Sequence, residues 1–327
     1  MATQQTKRHF IRILIISLLL IGLSVVAVLN YNFIVDTIVG FSYEADAELS
    51  TVVLHLDLTD DGMRILKASR PELQQAESFN RSCPSVSMQT STLGCYFMSK
   101  IYVYDIDREE LNGIKEAVMA HELLHAVWKR LGEGEREELR SDLDQVYKDN
   151  ILDLKEHMDN YDAEDYYDEL HSVIGTQVEA DKMTAKLRQH YAKYFNNPQT
   201  IVGYYNSYND VLQKYRKESQ RLYDLITANK AKIERQTEAY KKSLANLNQD
   251  IENYNKEVGA GTLDYYERVA IYNDLVARRT KLGTEYDELS QLVDETNELV
   301  DQYNENVIHV GELFDSIDSK AARPSDL

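Results

Sequence analysis

From Tyr205 to Ser319 the chain has no proline, and glycine only at positions 259, 261, 283 and 311, so nothing in its backbone chemistry stops a helix over that length. Tyr272, Arg279, Tyr286, Val293, Val300 and Val307 recur every seven residues, and Leu275, Leu282, Leu289, Thr296, Tyr303 and Val310 run beside them with an offset of three. Such a seam predicts helix packed on helix. In the first half Ile226, Ile233, Tyr240, Leu247 and Tyr254 share one phase, joined by Leu244, Ile251 and Val258. Gly259-Ala260-Gly261-Thr262 between the halves reads as a turn with a fresh helix cap. The expectation for 205–319 is an antiparallel coiled-coil hairpin with arms of about 50 residues, roughly 75 Å each. Its tyrosines read as seam packing, and its role as spacing, docking to a protein partner or self-association.

A second feature decides the compartment. Phe10 to Leu29 (FIRILIISLLLIGLSVVAVL) is apolar except for Arg12, and about 20 such residues match a ~30 Å hydrocarbon layer. Arg12 lies near the end, where its side chain can reach the interface. The run is too long for a cleavable signal, and Val25-Val26-Ala27 is a poor cleavage site. Lys7, Arg8 and Arg12 precede it and Asp36, Glu44, Asp46 and Glu48 follow, which predicts a cytoplasmic N-terminus and everything after residue 30 outside. Residues 1–30 are thus expected to be a cytoplasmic start and single-pass anchor in the cell membrane, and 31–50 a juxtamembrane connector with a short amphipathic turn at 33–41. Cys83 and Cys95, twelve residues apart in a Ser/Thr/Pro/Gly-rich stretch, read as a disulfide-closed loop in an oxidising compartment. A net charge of −19 argues against nucleic acid or anionic headgroups as partners of the outer portion.

Between these parts, 51–204 reads as an α+β domain, mainly α, with few strands. Thr51–Leu58 (TVVLHLDL) predicts a strand, Thr59-Asp60-Asp61 a helix start, and Lys100–Ile106 (KIYVYDI) a second strand. Helices are expected at 109–131, 133–148, 151–158, 163–193 and 198–204, and a tail at 320–327.

The chemistry sits in Val118–Leu131, VMAHELLHAVWKRL. A helix sets His121 and His125 one turn apart on one face, where two imidazoles can converge on a zinc ion at about 2.0–2.1 Å. Glu122 then stands beside the metal, placed to take a proton from its water. Ile114, Val118, His121, His125 and Trp128 fall at spacings of three and four on the inward face.

This segment resembles the metal-binding helix of the zincin metallopeptidases, and KIYVYDI stands where that superfamily has its cleft-edge strand. The resemblance implies a zinc-dependent peptide-bond hydrolase that binds an extended peptide or protein substrate by strand addition. Metzincins place a glycine and a third histidine where this chain has Trp128 and Leu131, so that class is excluded. Gluzincins take a glutamate from a later helix. Asp168-Glu169-Leu170-His171-Ser172 resembles the NExxS pattern of thermolysin-like enzymes, while Gln177-Val178-Glu179-Ala180-Asp181 resembles ExxAD with Gln177 at the ligand position. Glu169 is the expected third ligand, with His171 and Glu179 as alternatives. An oxyanion donor is expected at His190 or Tyr191, otherwise Tyr166 or Tyr167, and Asp181 as the carboxylate that orients a ligand histidine. Two other readings share these residues: a non-catalytic envelope scaffold with a structural or lost zinc site, and a hydrolase of cell-wall peptide.

Overall fold

The computed structural model describes residues 2–83, 93–159 and 165–320, without the side chains of 2–13, 153 and 156. Phe10–Ile13, including Arg12, therefore lie outside the described side chains, and the tail 321–327 outside the described residues. The chain forms two compact units, one of 1–211 with 314–327 and one of 212–313.

The first unit opens with helices α1 (Ala2–Leu29), α2 (Tyr31–Phe41), α3 (Ala47–His55) and α4 (Asp60–Ala68), then strand β1 (Glu72–Gln74) and α5 (Ala76–Ser82). Strands β2 (Gly94–Phe97) and β3 (Lys100–Tyr104) lead to α6 (Ile114–Arg130), α7 (Glu133–Asp149), α8 (Ile151–Met158), α9 (Tyr166–Gln177) and α10 (Ala185–Tyr191). Two long helices follow, α11 (Pro198–Ala260) and α12 (Tyr265–Ile317). The fold is mainly helical with one small sheet. Among the described residues no single helix is long and apolar enough to cross a membrane, whereas Leu14–Leu29 and Tyr31–Phe41 meet that requirement together, bent by 70°.

The strand expected at 51–58 is a helix instead. Asp46 caps it by accepting from the Leu49 amide at 2.9 Å, and it buries Leu49 and Val52, with Leu56 buried at its C-cap, the three spaced three and four apart. Their helical spacing and the cap outweigh the β-branched content. Thr59 starts α4 as expected, accepting from the Gly62 amide. The helix expected over 163–193 breaks after Gln177, and Thr184 caps a new one by accepting from the Leu187 amide. No glycine or proline marks that break.

The sheet has the order β1-β3-β2, with β1 parallel and β2 antiparallel to β3. β3 is the strand expected at KIYVYDI, but it has a neighbour on each side, so among the described residues the sheet's edges are β1 and β2. The hairpin turn is Met98-Ser99, both at positive φ (49° and 63°). Cys83 and Cys95 are joined, tying the end of α5 to the middle of β2.

In the second unit α11 and α12 pack antiparallel: Tyr215 meets His309, Tyr240 meets Tyr286, and Leu247 packs with Leu275 and Leu282. The row Leu275, Leu282, Leu289, Thr296, Tyr303 and Val310 does face inward, but its companion is Ile271, Arg278, Glu285, Leu292, Leu299 and Asn306, one residue before the expected row. Tyr272 and Tyr286 are each 57% exposed. The shift admits Asn306, whose amide donates to the Tyr215 carbonyl and the Ser219 hydroxyl. The corrected phase has a direct consequence. Leu282→Ala should cost the hairpin about 2–5 kcal/mol, while Tyr272→Ala should stay within about 0.5 kcal/mol; denaturant unfolding followed by circular dichroism measures both, and the reverse order would restore the expected row.

Candidate metal centre

α6 begins abruptly at Gly113, whose φ of 93° turns the chain and whose missing side chain admits Tyr204. From there the helix is buried on nearly every side by Ile114, Ala117, Met119, Ala120, Leu123, Leu124, Ala126 and Val127. It lies against α9, where Gly175 leaves room for Leu124 and Tyr191. This packing brings Glu169 over His121 and His125.

The three donors converge. His121 Nε2 and His125 Nε2 are 3.1 Å apart, Glu169 Oε1 is 3.4 Å from His121 Nε2, and Glu169 Oε2 is 3.4 Å from His125 Nε2. Ligands at 2.0–2.1 Å around a tetrahedral zinc lie about 3.3 Å from one another, so the spacing suits that ion. Charge points the same way. Glu122, Asp168 and Glu169 are three buried carboxylates around two imidazoles, and Lys129 is the ammonium that reaches them, 2.7 Å from Asp168 Oδ2. A divalent cation would leave the cluster neutral.

Asp168 does what Asp181 was expected to do. Its Oδ1 accepts from His125 Nδ1 at 2.8 Å, which leaves the Nε2 lone pair facing the other two donors. Burial opposes charge on His125, but the bonds to Asp168 and Glu169 outweigh it and hold the imidazole pKa well above its ordinary value. Burial opposes the Glu169 charge too, and His121, His125 and His157 overcome it, so its pKa is lowered. At Glu122 burial wins over the attraction of both histidines and raises the carboxyl pKa.

His157 on α8 is a residue that sequence reasoning missed. Its Nε2 donates to Glu169 Oε1 at 2.6 Å, and its ring centroid lies 6.4 Å from that of His121. Sequence carried little signal for it, a histidine far from any motif. It holds the same Glu169 oxygen that faces His121, while the set of mutually close donors among the described residues is His121, His125 and Glu169.

His190 and Tyr191 are not brought to this cluster. Two positions along a helix are about 200° apart, so Glu169 and His171 leave α9 in nearly opposite directions. His190 Nε2 lies 2.8 Å from His171 Nε2, and the Tyr191 hydroxyl donates to the His171 carbonyl, all three buried beside Trp128. Burial and the nearby charge of Lys193 lower the His190 pKa to about 4, as suits a neutral core imidazole. The other candidates are also engaged elsewhere. The Tyr167 hydroxyl donates to Asp144, the Tyr166 ring packs edge-on against Tyr147, and Glu179 accepts from Gln199 and from Asn206.

On the other side of Glu122 stands β2. A Cβ on Gly94 would come within 2.5 Å of Val118 Cγ1 and 2.9 Å of Glu122 Oε1, so only glycine lets the strand pass this close. Leu93 accepts from the Tyr104 amide, and the antiparallel alternation then turns the N–H and C=O groups of Gly94 and Tyr96 away from β3. The site thus brings together three side chains that could hold a metal, a buried carboxylate and the outer edge of β2, which no strand covers among the described residues. No protein-family model, curated protein or solved structure matches this chain.

Removing the Asp168 support by Asp168→Ala should weaken zinc affinity about 10–100-fold. His190→Phe should leave zinc affinity unchanged. Competition titration against a chromophoric chelator reads both, and a loss of zinc in His190→Phe would return that residue to the site.

Proposed function

We propose that the protein is a membrane-anchored zinc peptidase acting outside the cytoplasm, with Glu122 as its general base. The observation that carries the reading is the trio of donor atoms at tetrahedral spacing with a buried carboxylate and the outer edge of β2 beside it. His121, His125 and Glu169 would hold the ion. When bound, zinc supplies a Lewis acid that acidifies water and polarises a carbonyl.

The chain's own residues supply the remainder. Asp168 orients His125, and His157 and the imidazoles of α6 fix Glu169. Glu122 takes a proton from the attacking water and returns it to the departing amine. Its raised pKa brings it nearer the range in which a carboxylate does both near neutral pH. The outward N–H and C=O groups of Gly94 and Tyr96 pair with an extended peptide and lay its carbonyl beside Glu122. Among the described residues three donors are mutually close, and a site of three protein ligands keeps a fourth position for water or substrate, which supports catalysis over a structural site. The apolar helix after Lys7 and Arg8, with acidic residues beyond it, supports a cytoplasmic N-terminus, and the Cys83–Cys95 disulfide supports an oxidising compartment for the catalytic unit.

Metal analysis with a proteolysis assay on a broad peptide mixture tests this. The protein should hold one zinc, and Glu122→Gln should keep it while losing about 10²–10⁴-fold in turnover. Gly94→Val should keep zinc and lose most activity by pushing β2 from Glu122. Zinc-free protein, or unchanged turnover in Glu122→Gln, would contradict the reading.

A further inference from the structure

Helix α2 is inside out. Its only charged residue, Asp36, is 4% exposed, while Tyr31, Ile34, Ile38 and Phe41, at helical spacings of three and four, are 65, 39, 69 and 91% exposed. A surface helix in water shows the opposite polarity. The inward face is fitted at Gly40, which meets the backbone of α4 at Ala68, and at Asp36, which Arg64 reaches at 3.0 Å while stacking on Phe33, itself 53% exposed. Asp36 also takes Arg130 from the end of α6 through both of its oxygens, at 2.9 to 3.0 Å, and Asn32 donates to the Arg130 carbonyl.

The outward face continues into α1, where Leu14 to Leu29 present exposed apolar side chains, and the two helices meet at Asn30 with a bend of 70°. A helix that leaves a bilayer and turns so sharply comes to lie nearly along its surface. We propose that α2 is an in-plane membrane helix, with Tyr31, Ile34, Ile38 and Phe41 in the lipid and Asp36 clamping the catalytic unit onto it. The proposal rests on the membrane-anchor reading above and extends it, since an anchor alone would leave the catalytic unit loosely tethered. The clamp reaches the site: Arg130 also donates to the Tyr96 hydroxyl on the edge strand, and it lies nine residues along α6 from His121, roughly 14 Å. The partner is uncharged lipid at the boundary between headgroups and acyl chains. The nearest guanidiniums, Arg64 and Arg130, are already paired with Asp36, and the chain carries a net charge of −19, so nothing beyond them draws anionic headgroups to this face.

Site-directed labelling of the full chain in phosphatidylcholine vesicles tests it. There is no free cysteine among the described residues, and both cysteines of the sequence are paired, so a thiol introduced by Leu20→Cys, Ile38→Cys, Phe41→Cys or Glu252→Cys carries the fluorophore alone. Lipids brominated deep in the chain should quench the label at 20, and lipids brominated near the headgroup should quench those at 38 and 41, each several-fold more than the label at 252. Quenching at 20 with labels at 38 and 41 matching 252 would overturn the in-plane helix and leave the anchor standing. Absence of quenching at 20 would overturn the anchor itself. Labels at 38 and 41 shielded from a soluble quencher but untouched by brominated lipid would mean that protein, such as a second copy, covers the face, and would overturn the proposal.

Discussion

The burial of α6 is the constraint on which the first compact unit depends. A helix enclosed by β2, β3 and α9 can carry two imidazoles and a carboxylate only if each is satisfied, because an unpaired charge in such a place costs several kcal/mol. The chain meets that demand for the imidazoles by setting Asp168 and Glu169 next to each other on α9, one behind His125 and one in front of it, while burial raises the pKa of Glu122. The same pairing gathers three carboxylates in one spot, where, against the opposing effect of burial, the imidazoles and Lys129 lower the pKa of Asp168 and Glu169 and so favour their charged forms.

The sheet depends on α6 in turn. With only three strands and β1 three residues long, it has little cohesion of its own. Val118 and Glu122 pack where Gly94 lacks a side chain, and the Cys83–Cys95 bond and Arg130 fasten the strand at two further points. These supports place the outer edge of β2 beside Glu122, the one buried carboxylate of α6 without an imidazole or ammonium partner among the described residues. Arg130 also meets Asp36, so the strand and α2 share a single guanidinium.

Much of this was legible in the sequence, for identifiable reasons. The spacing of His121, Glu122 and His125 is a helical repeat, and their flanking apolar residues share its period, so helix and cluster could be read together. Glu169 could be nominated because Asp168 to Ser172 resembles the NExxS pattern, whereas the orienting carboxylate is expected at Asp181 and stands at Asp168 instead. The disulfide followed from there being two cysteines in a loop. What sequence hid was mostly non-local. β2 escaped notice because its turn is Met98-Ser99, with neither glycine nor asparagine at the positive φ positions. Once β2 is seen, an edge of the sheet passes from β3 to it. His190 and Tyr191 carry attractive chemistry on the wrong side of α9, and only the packing of α9 on α6 tells the sides apart. In the hairpin Tyr272 and Tyr286 imitate a seam row at heptad spacing, while the true companion row contains Arg278, Glu285 and Asn306, which a hydrophobic pattern passes over.

The central claim is a zinc held by two imidazoles and one carboxylate with a position left open. X-ray absorption at the zinc edge of the metal-loaded full chain tests it most directly. The account predicts two imidazoles and oxygen donors at about 2.0–2.1 Å, with the signal of one oxygen changing when a hydroxamate inhibitor is added. A shell closed by a third imidazole and indifferent to the inhibitor would contradict it.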